Sequence, residues 1–396
     1  MIQISPETQL FIREHSSDDV RVLALQAKKY PDIDMPTVIT QIAGRKVAAE
    51  KIPSWWEIEK IWYPKHLSLE QCSSEITARY KARLLQGDSL TDLTGGFGID
   101  CSFLATGFKS ATYVERQEEL CEIAAHNFPV LNLNHINIKN EDGVTYLQAM
   151  SPVDCLFLDP ARRNEHGGKT VAISDCEPNV AELEELLLQK ANRVMIKLSP
   201  MLDLSLALKE LKQTQEVHIL SVNNECKELL ILLGQTSPAE ISIHCVNLFT
   251  KGTQKEQHFV FTREQEQCSE CTYTDSLETY LYEPNASLLK AGAFRSIAAA
   301  YPVRKLHPNS HLYTSDTFIE NFPGRIFRIV NQCSFNKKEV KENLADLKKA
   351  NVTVRNFPAT VAELRKRIHL AEGGDTYLFA STLNNGQKVL IRCEKV

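Results

Sequence analysis

The chain has 396 residues, a formal net charge of −5, 43% hydrophobic and 24% charged residues. That length predicts two to four domains with ample core, and the apolar and charged fractions are those of an ordinary soluble protein. No run approaches the ~18 apolar residues of a membrane helix, Met1-Ile2-Gln3-Ile4-Ser5-Pro6 shows no basic-then-apolar leader, and eleven scattered cysteines, several in apolar runs (Cys101, Cys155, Cys245), suit a reducing cytoplasm.

In chain order, residues 1–75 read as a helical region. Residues 18–29 and 35–51 place apolar side chains at helical spacing, punctuated by proline. Trp55-Trp56 and Trp62-Tyr63 then cluster. Such aromatics either stack on bases or pack a small domain onto its neighbour, and the packing reading is favoured.

From residue 76 strands and helices alternate. Strands are predicted at 89–93, 112–115, 137–139, 154–159, 193–197 and 216–222, with helices at 118–128 and 180–189 among the connections. The last run, 227–233, follows after only four residues, Asn223 to Cys226. So short a gap forces a hairpin and an antiparallel final strand.

The first strand runs into Asp92-Leu93-Thr94-Gly95-Gly96-Phe97-Gly98. Glycines let a ligand approach the backbone where a Cβ would clash. A dinucleotide loop seats a pyrophosphate on the helix N-terminus. Asp92 at the strand end would repel a pyrophosphate and welcome an ammonium, which tilts the reading from NAD to S-adenosylmethionine. The second strand ends in Glu115, whose carboxylate suits the vicinal hydroxyls of a ribose. Asp142, in Asn140-Glu141-Asp142-Gly143 past the third strand, also reads as a helix N-cap. The fourth strand ends in Asp159-Pro160-Ala161-Arg162-Arg163, an acid at the carboxyl edge of a central strand, beside the expected ligand crevice.

Beyond residue 241 the pattern changes. Residues 241–248 and 258–262 look like a strand pair across Lys251-Gly252. A helix is predicted from Tyr282 through Ala300. Residues after Gly324 read β-α-β-α-β-β, the last two strands meeting across Asn384-Asn385-Gly386-Gln387. Residues 326–396 hold thirteen Lys and Arg against seven Asp and Glu, a balance of +6, so the rest of the chain carries −11. This asymmetry predicts either a basic appendage that meets nucleic acid or a solvated helix face at 337–349. The single Cys268-x-x-Cys271 has no partner pair, and no metal site is expected.

Together these motifs resemble class I S-adenosylmethionine-dependent methyltransferases over residues 75–235. The phrases Glu283-Pro284-Asn285-Ala286-Ser287-Leu288-Leu289-Lys290-Ala291-Gly292 and Phe327-Arg328-Ile329-Val330 are similar to a bacterial group of RNA methyltransferases with a THUMP-like C-terminal domain. In the Bacteroidetes members of that group a small ferredoxin-like piece precedes it. The resemblance implies an α/β, Rossmann-like parallel sheet with one antiparallel late strand, a helical N-terminal region and small α+β C-terminal domains. It implies the divisions 1–75 (helical), 76–262 (methyltransferase), 263–323 (ferredoxin-like) and 324–396 (THUMP-like).

By the same resemblance Asp92, Thr94, Gly96 and Gly98 form the cofactor turn, Glu115 binds the ribose and Asp142 receives the adenine amine. Asp159 and Pro160 hold a target amine, with Arg162 in place of the usual aromatic ring. An Asp-Pro-Pro-Arg order is instead common in pyrimidine C5 methylation, which needs a thiolate. The family's usual position, Ile196-Lys197-Leu198-Ser199-Pro200, holds no cysteine. Cys226, beside Lys227, is the remaining candidate, with a structural turn cysteine as the favoured reading. Lys197, Ser74, Glu75 and Tyr80 are further candidates for cofactor or RNA contact, each equally readable as an ordinary surface or amphipathic-helix residue.

The expected function is methyl transfer from S-adenosylmethionine to structured RNA, tRNA or rRNA, at guanine N2 or adenine N6, with the basic tail gripping RNA. Two alternatives stand beside it. One is a small-molecule or protein methyltransferase whose tail dimerises. The other is a methyltransferase fold that binds RNA without activity.

Overall fold

Ser5, Asp19 and Asp34 each accept a backbone N–H from the turn that follows, starting α1 (Pro6–Glu14), α2 (Val20–Leu25) and α3 (Met35–Lys51). The computed structural model describes residues 5–162, 172–236 and 238–396. The helix expected over 18–29 closes at Leu25 and continues as a 3₁₀ turn, Ala27–Lys29. Three further helices follow, α4 (Pro53–Trp56), α5 (His66–Gln71) and α6 (Glu75–Ala82). Trp55 and Tyr63 are buried, and Trp55 meets the Phe97 ring edge-on at 5.2 Å. These two aromatics pack the helical region onto the glycine turn.

The chain divides into two compact units, Met1–Gln215 with Leu230–Pro238 and Glu216–Leu229 with Ala239–Val396. In the first, β1 (Ser89–Asp92), β2 (Ser110–Glu115), β3 (Ile136–Asn140), β4 (Val153–Leu158) and β5 (Ala191–Leu198) lie parallel in the order β5-β4-β1-β2-β3. Helices α7 (Ile99–Ala105), α8 (Glu118–Val130), α9 (Gly143–Ala149) and α10 (Val180–Lys190) supply the crossovers that parallel pairing requires, and α11 (Leu204–Glu210) follows β5. The order reverses between β1 and β4. In open α/β sheets that point, at the carboxyl ends of the strands, is where ligands bind.

Strands β6 (Thr214–Val222) and β7 (Glu225–Gly234) are adjacent. Asn223 and Asn224, with φ of 50° and 67°, form the two-residue left-handed turn between them. The expected antiparallel hairpin is thus present. In the second unit β8 (Ser242–Leu248) runs parallel to β6, and β9 (Glu256–Phe261) antiparallel to β8.

A second sheet in this unit orders Arg304–Lys305, β11 (Tyr313–Ser315), β10 (Tyr280–Pro284), β12 (Gly324–Ser334), β15 (Lys388–Lys395), β14 (Thr376–Thr382) and β13 (Asn351–Val354). The helix expected from Tyr282 is instead the end of β10. Helix α13 (Ala286–Ala291), capped by Asn285, follows α12 (Arg263–Cys268) and stops at Gly292, whose φ is 78°; α14 (Phe294–Ala300) then begins. Pairing decided this: Leu281 lies opposite Phe327 and Thr314 in adjoining strands. The β-α-β-α-β-β tail appears as expected, with α15 (Lys337–Leu344) and α16 (Val361–Ile368) between its strands.

Candidate active site

The glycine turn is tight because the chain folds back against β2. Gly95 donates its N–H to the Val114 carbonyl at 2.8 Å, and a Cβ on Gly95 would stand 2.2 Å from the buried Tyr113 ring. Gly96 and Gly98 take positive φ, 54° and 85°, which swings the backbone into the start of α7. The Gly96 N–H donates to Glu115 Oε2 at 2.9 Å, while Gln117 N–H donates to Oε1 at 2.9 Å. Glu115 thus holds the turn against the end of β2.

Asp92 is fully buried at the end of β1. Its Oδ1 accepts the Thr94 N–H at 3.0 Å, and its Oδ2 has no hydrogen-bond partner. Burial pushes this carboxyl well above the usual range; the Thr94 N–H opposes, and nearby Asp100, Asp159 and Glu115 add to the rise. Thr94 also joins the two central strands, because its Oγ1 accepts the Asp159 N–H at 2.6 Å.

Asp142 is the N-cap of α9, its Oδ1 accepting N–H bonds from Val144 and Thr145 at 3.0 Å each. The side chain is exposed. Asp159 follows β4, with Oδ2 2.5 Å from Lys197 Nζ on β5. Pro160 is buried. Arg162 contributes backbone to a two-residue antiparallel pairing, opposite Cys176. Its side chain lies outside the described residues, as does Arg163.

Beside Asp159 lies a charged group of which sequence reasoning named only Lys197. Asp100 on α7 pairs with Lys81 Nζ on α6 at 3.0 Å and with Lys197 Nζ at 3.4 Å. Ser73 donates to Asp100 at 2.7 Å and accepts from Lys81 at 2.9 Å and Lys197 at 3.2 Å. Lys81 is completely buried. Burial alone raises the Asp100 carboxyl, but the two ammoniums and the Ser73 hydroxyl outweigh it and hold it at about 2. The available signal was an acid in the otherwise apolar start of α7, and a lysine on the inner face of α6.

Of the candidates named from the sequence before β1, none enters this group. Glu75 caps Ser54 N–H and pairs with Arg79, Ser74 bonds Thr77, and Tyr80 is buried beneath Arg83. Lys197, a candidate for cofactor or RNA contact with a surface lysine as the alternative, is a buried member of the group. Burial pushes the Cys226 thiol up to about 11. Lys227, expected to activate it, pairs with Glu225 at 2.7 Å. At neutral pH this thiol is therefore a poor nucleophile.

A mostly parallel α/β sheet with an acid-tipped glycine turn at its switch point defines a class I methyltransferase fold. A crystal structure described as "putative methyltransferase from Porphyromonas gingivalis W83" is 34% identical over 100% of both chains, with a TM-score of 0.87. The chain belongs to this family of methyltransferases. Family models match residues 280–323 as a ferredoxin-like domain and 324–395 as a THUMP domain-like region. Strand β10 of the former and β12 of the latter share one sheet. An rRNA methylase from Streptococcus thermophilus is 14% identical over 40% of this chain and 93% of its own, with a TM-score of 0.29. A "putative methyltransferase" from Streptococcus mutans in complex with SAH is 13% identical over 40% and 96%, with a TM-score of 0.30. No curated protein matches. Among the described residues no helix is long and apolar enough to cross a membrane.

Proposed function

We propose that the chain is an S-adenosylmethionine-dependent methyltransferase acting on structured RNA, tRNA or rRNA, at a base exocyclic amine, guanine N2 or adenine N6. The observation that carries the cofactor reading is Asp92 Oδ2, a buried acceptor without a partner at the end of β1. Leaving such an atom unsatisfied costs about 1–3 kcal/mol. An amino-acid ammonium supplies both the hydrogen bond and the opposite charge. Glu115 retains lone pairs for ribose hydroxyls beside those used by Gly96 and Gln117. Asp142 turns one oxygen to its helix, and Oδ2 remains for the adenine amine.

Bound S-adenosylmethionine supplies an electrophilic methyl group. The protein's part is orientation and exclusion of water. Lys197 holds Oδ2 of Asp159, leaving Oδ1 outside the ion pair as an acceptor for one N–H of the target amine. The Pro160 carbonyl takes the second N–H, and the amine lone pair then faces the methyl. The proton shed by the methylated amine leaves through the bond to Asp159. The raised Cys226 thiol favours this chemistry over thiolate addition to a pyrimidine.

Support for RNA comes from the THUMP-like match and the charge of the same segment. We assign the helical region to 1–75, the methyltransferase to 76–262, the ferredoxin-like piece to 263–323 and the THUMP-like domain to 324–396. The division of labour is that the last segment grips RNA while Asp159 and Pro160 present the base. The test is transfer of labelled methyl to total RNA, read by mass spectrometry of nucleosides. Wild type is expected to yield a methylated guanine or adenine, and Asp159→Ala to lose it while still binding S-adenosylhomocysteine. If intact, cofactor-binding wild type methylates no RNA, the substrate assignment fails.

A further inference from the structure

Three imidazoles and a carboxylate line one face of β6, β8 and β9, all within the second unit. His218 on β6 lies opposite His244 on β8 in register. His258 on β9 lies opposite Val246, two residues from His244 and so on the same face. Glu216 precedes His218 by two and shares that face as well.

Their donor atoms are close. Glu216 Oε2 is 3.2 Å from His218 Nε2, and His244 Nδ1 is 3.1 Å from His258 Nε2. The Glu216, His218 and His244 donor atoms all fall within 4.8 Å of one another. The rings stack, with centroids 4.3 Å apart for His218–His244 and 5.3 Å for His244–His258. Zinc–nitrogen bonds of ~2.05 Å in a tetrahedron set donor atoms roughly 3.3 Å apart. Two of the separations, Glu216–His218 and His244–His258, match that edge, and the side chains turn to bring the two pairs onto one ion.

We propose that Glu216, His218, His244 and His258 bind one divalent transition-metal ion of the zinc class. Three imidazole nitrogens and one carboxylate suit such an ion; calcium and magnesium require oxygen donors. Four protein ligands make a closed site, so the ion clamps three strands and takes no part in methyl transfer. The sequence gaps between positions 218, 244 and 258 match no short metal motif. Only strand register assembles the set.

The test uses the full chain, stripped with chelator and titrated with Zn²⁺ alone by calorimetry. One ion per chain is expected, with a raised melting temperature. Co²⁺ should give tetrahedral d–d absorption without the thiolate charge-transfer band that a cysteine site would add. Losing a ligand should weaken Zn²⁺ binding at least ~10-fold. His244→Ala should therefore abolish stoichiometric binding. His258→Ala, at an exposed position that keeps the fold, should weaken it, and Cys268→Ser/Cys271→Ser should leave it unchanged. No stoichiometric binding by wild type overturns the site. So does binding that survives both histidine substitutions or disappears with the cysteines.

Discussion

Lys197 Nζ stands 2.5 Å from Asp159 Oδ2 and 3.4 Å from Asp100 Oδ2, so one buried ammonium joins Asp159 to the charged group beside it. Removing it frees the Asp159 side chain to turn. Lys197→Met keeps the volume and leaves Asp100 paired with Lys81. Methyl transfer should fall about 10- to 100-fold through kcat, because a small misplacement of a positioning group costs that much. Affinity for S-adenosylhomocysteine should stay within about threefold. Single-turnover kinetics beside calorimetry separate the two, and an unchanged kcat removes Lys197 from the positioning role.

Asp92 sets stability against binding. Its folded pKa is raised, so its contribution to stability is complete below the unfolded value near 3.8 and is lost as pH rises through the folded one. At pH 7 the buried carboxyl is a penalty. Asp92→Asn should raise the melting temperature of the ligand-free protein by about 2–4 °C. It should also weaken S-adenosylhomocysteine binding about tenfold or more, since the ammonium loses its counter-charge. A variant that melts lower and binds equally well contradicts both halves.

Asp100 has the opposite sign. Its folded value of about 2 lies below the unfolded one, so its stabilisation is present above roughly pH 4 and drains away as pH falls toward 2. Asp100→Asn removes the carboxylate that Lys81 pairs with, while Lys197 keeps Asp159, and should cost about 3–5 kcal/mol at pH 7. Adding Lys81→Met should recover part of that loss. Denaturant melts between pH 7 and 2 check this. Wild type should lose more stability than Asp100→Asn over the acid limb.

Gly95 is a packing constraint. Gly95→Ala drives a methyl into the Tyr113 ring, and overpacking of this kind costs about 1–3 kcal/mol. Combining it with Tyr113→Leu should restore stability above the single Gly95→Ala. A neutral Gly95→Ala in thermal melts would show that the turn can move away from β2.

The RNA assignment needs substitutions rather than truncation, because β12 pairs with β10 and removing the tail would break the sheet. Lys337, Lys338 and Lys341 are exposed along α15. Changing all three to Glu should weaken RNA binding uniformly across sequences and lower the slope of log affinity against log salt by about 3. Filter binding at several salt concentrations reads this directly. An unchanged slope excludes α15 from the phosphate contacts.

Much of the architecture was legible in the linear order of residues. Strand–helix alternation, the Asp92 glycine turn, the late antiparallel hairpin and the β-α-β-α-β-β tail all follow from periodicity and turn chemistry, which act over a few residues; that the hairpin turns on Asn223 and Asn224 alone, not on four residues, came from the structure. Tertiary structure decided matters that depend on distant partners. Residues 280–284 became a strand because β11 and β12 flank them. Lys197 became a buried ion-pair partner because Asp100, 97 positions away, lies beside it. Asp92 was readable as an acid at a strand end. That one of its oxygens is buried without a partner could be known only once the surrounding chain had closed over it. Local sequence carries the signals for turns and elements, whereas a charge takes its chemical meaning from the burial and neighbours that folding alone supplies.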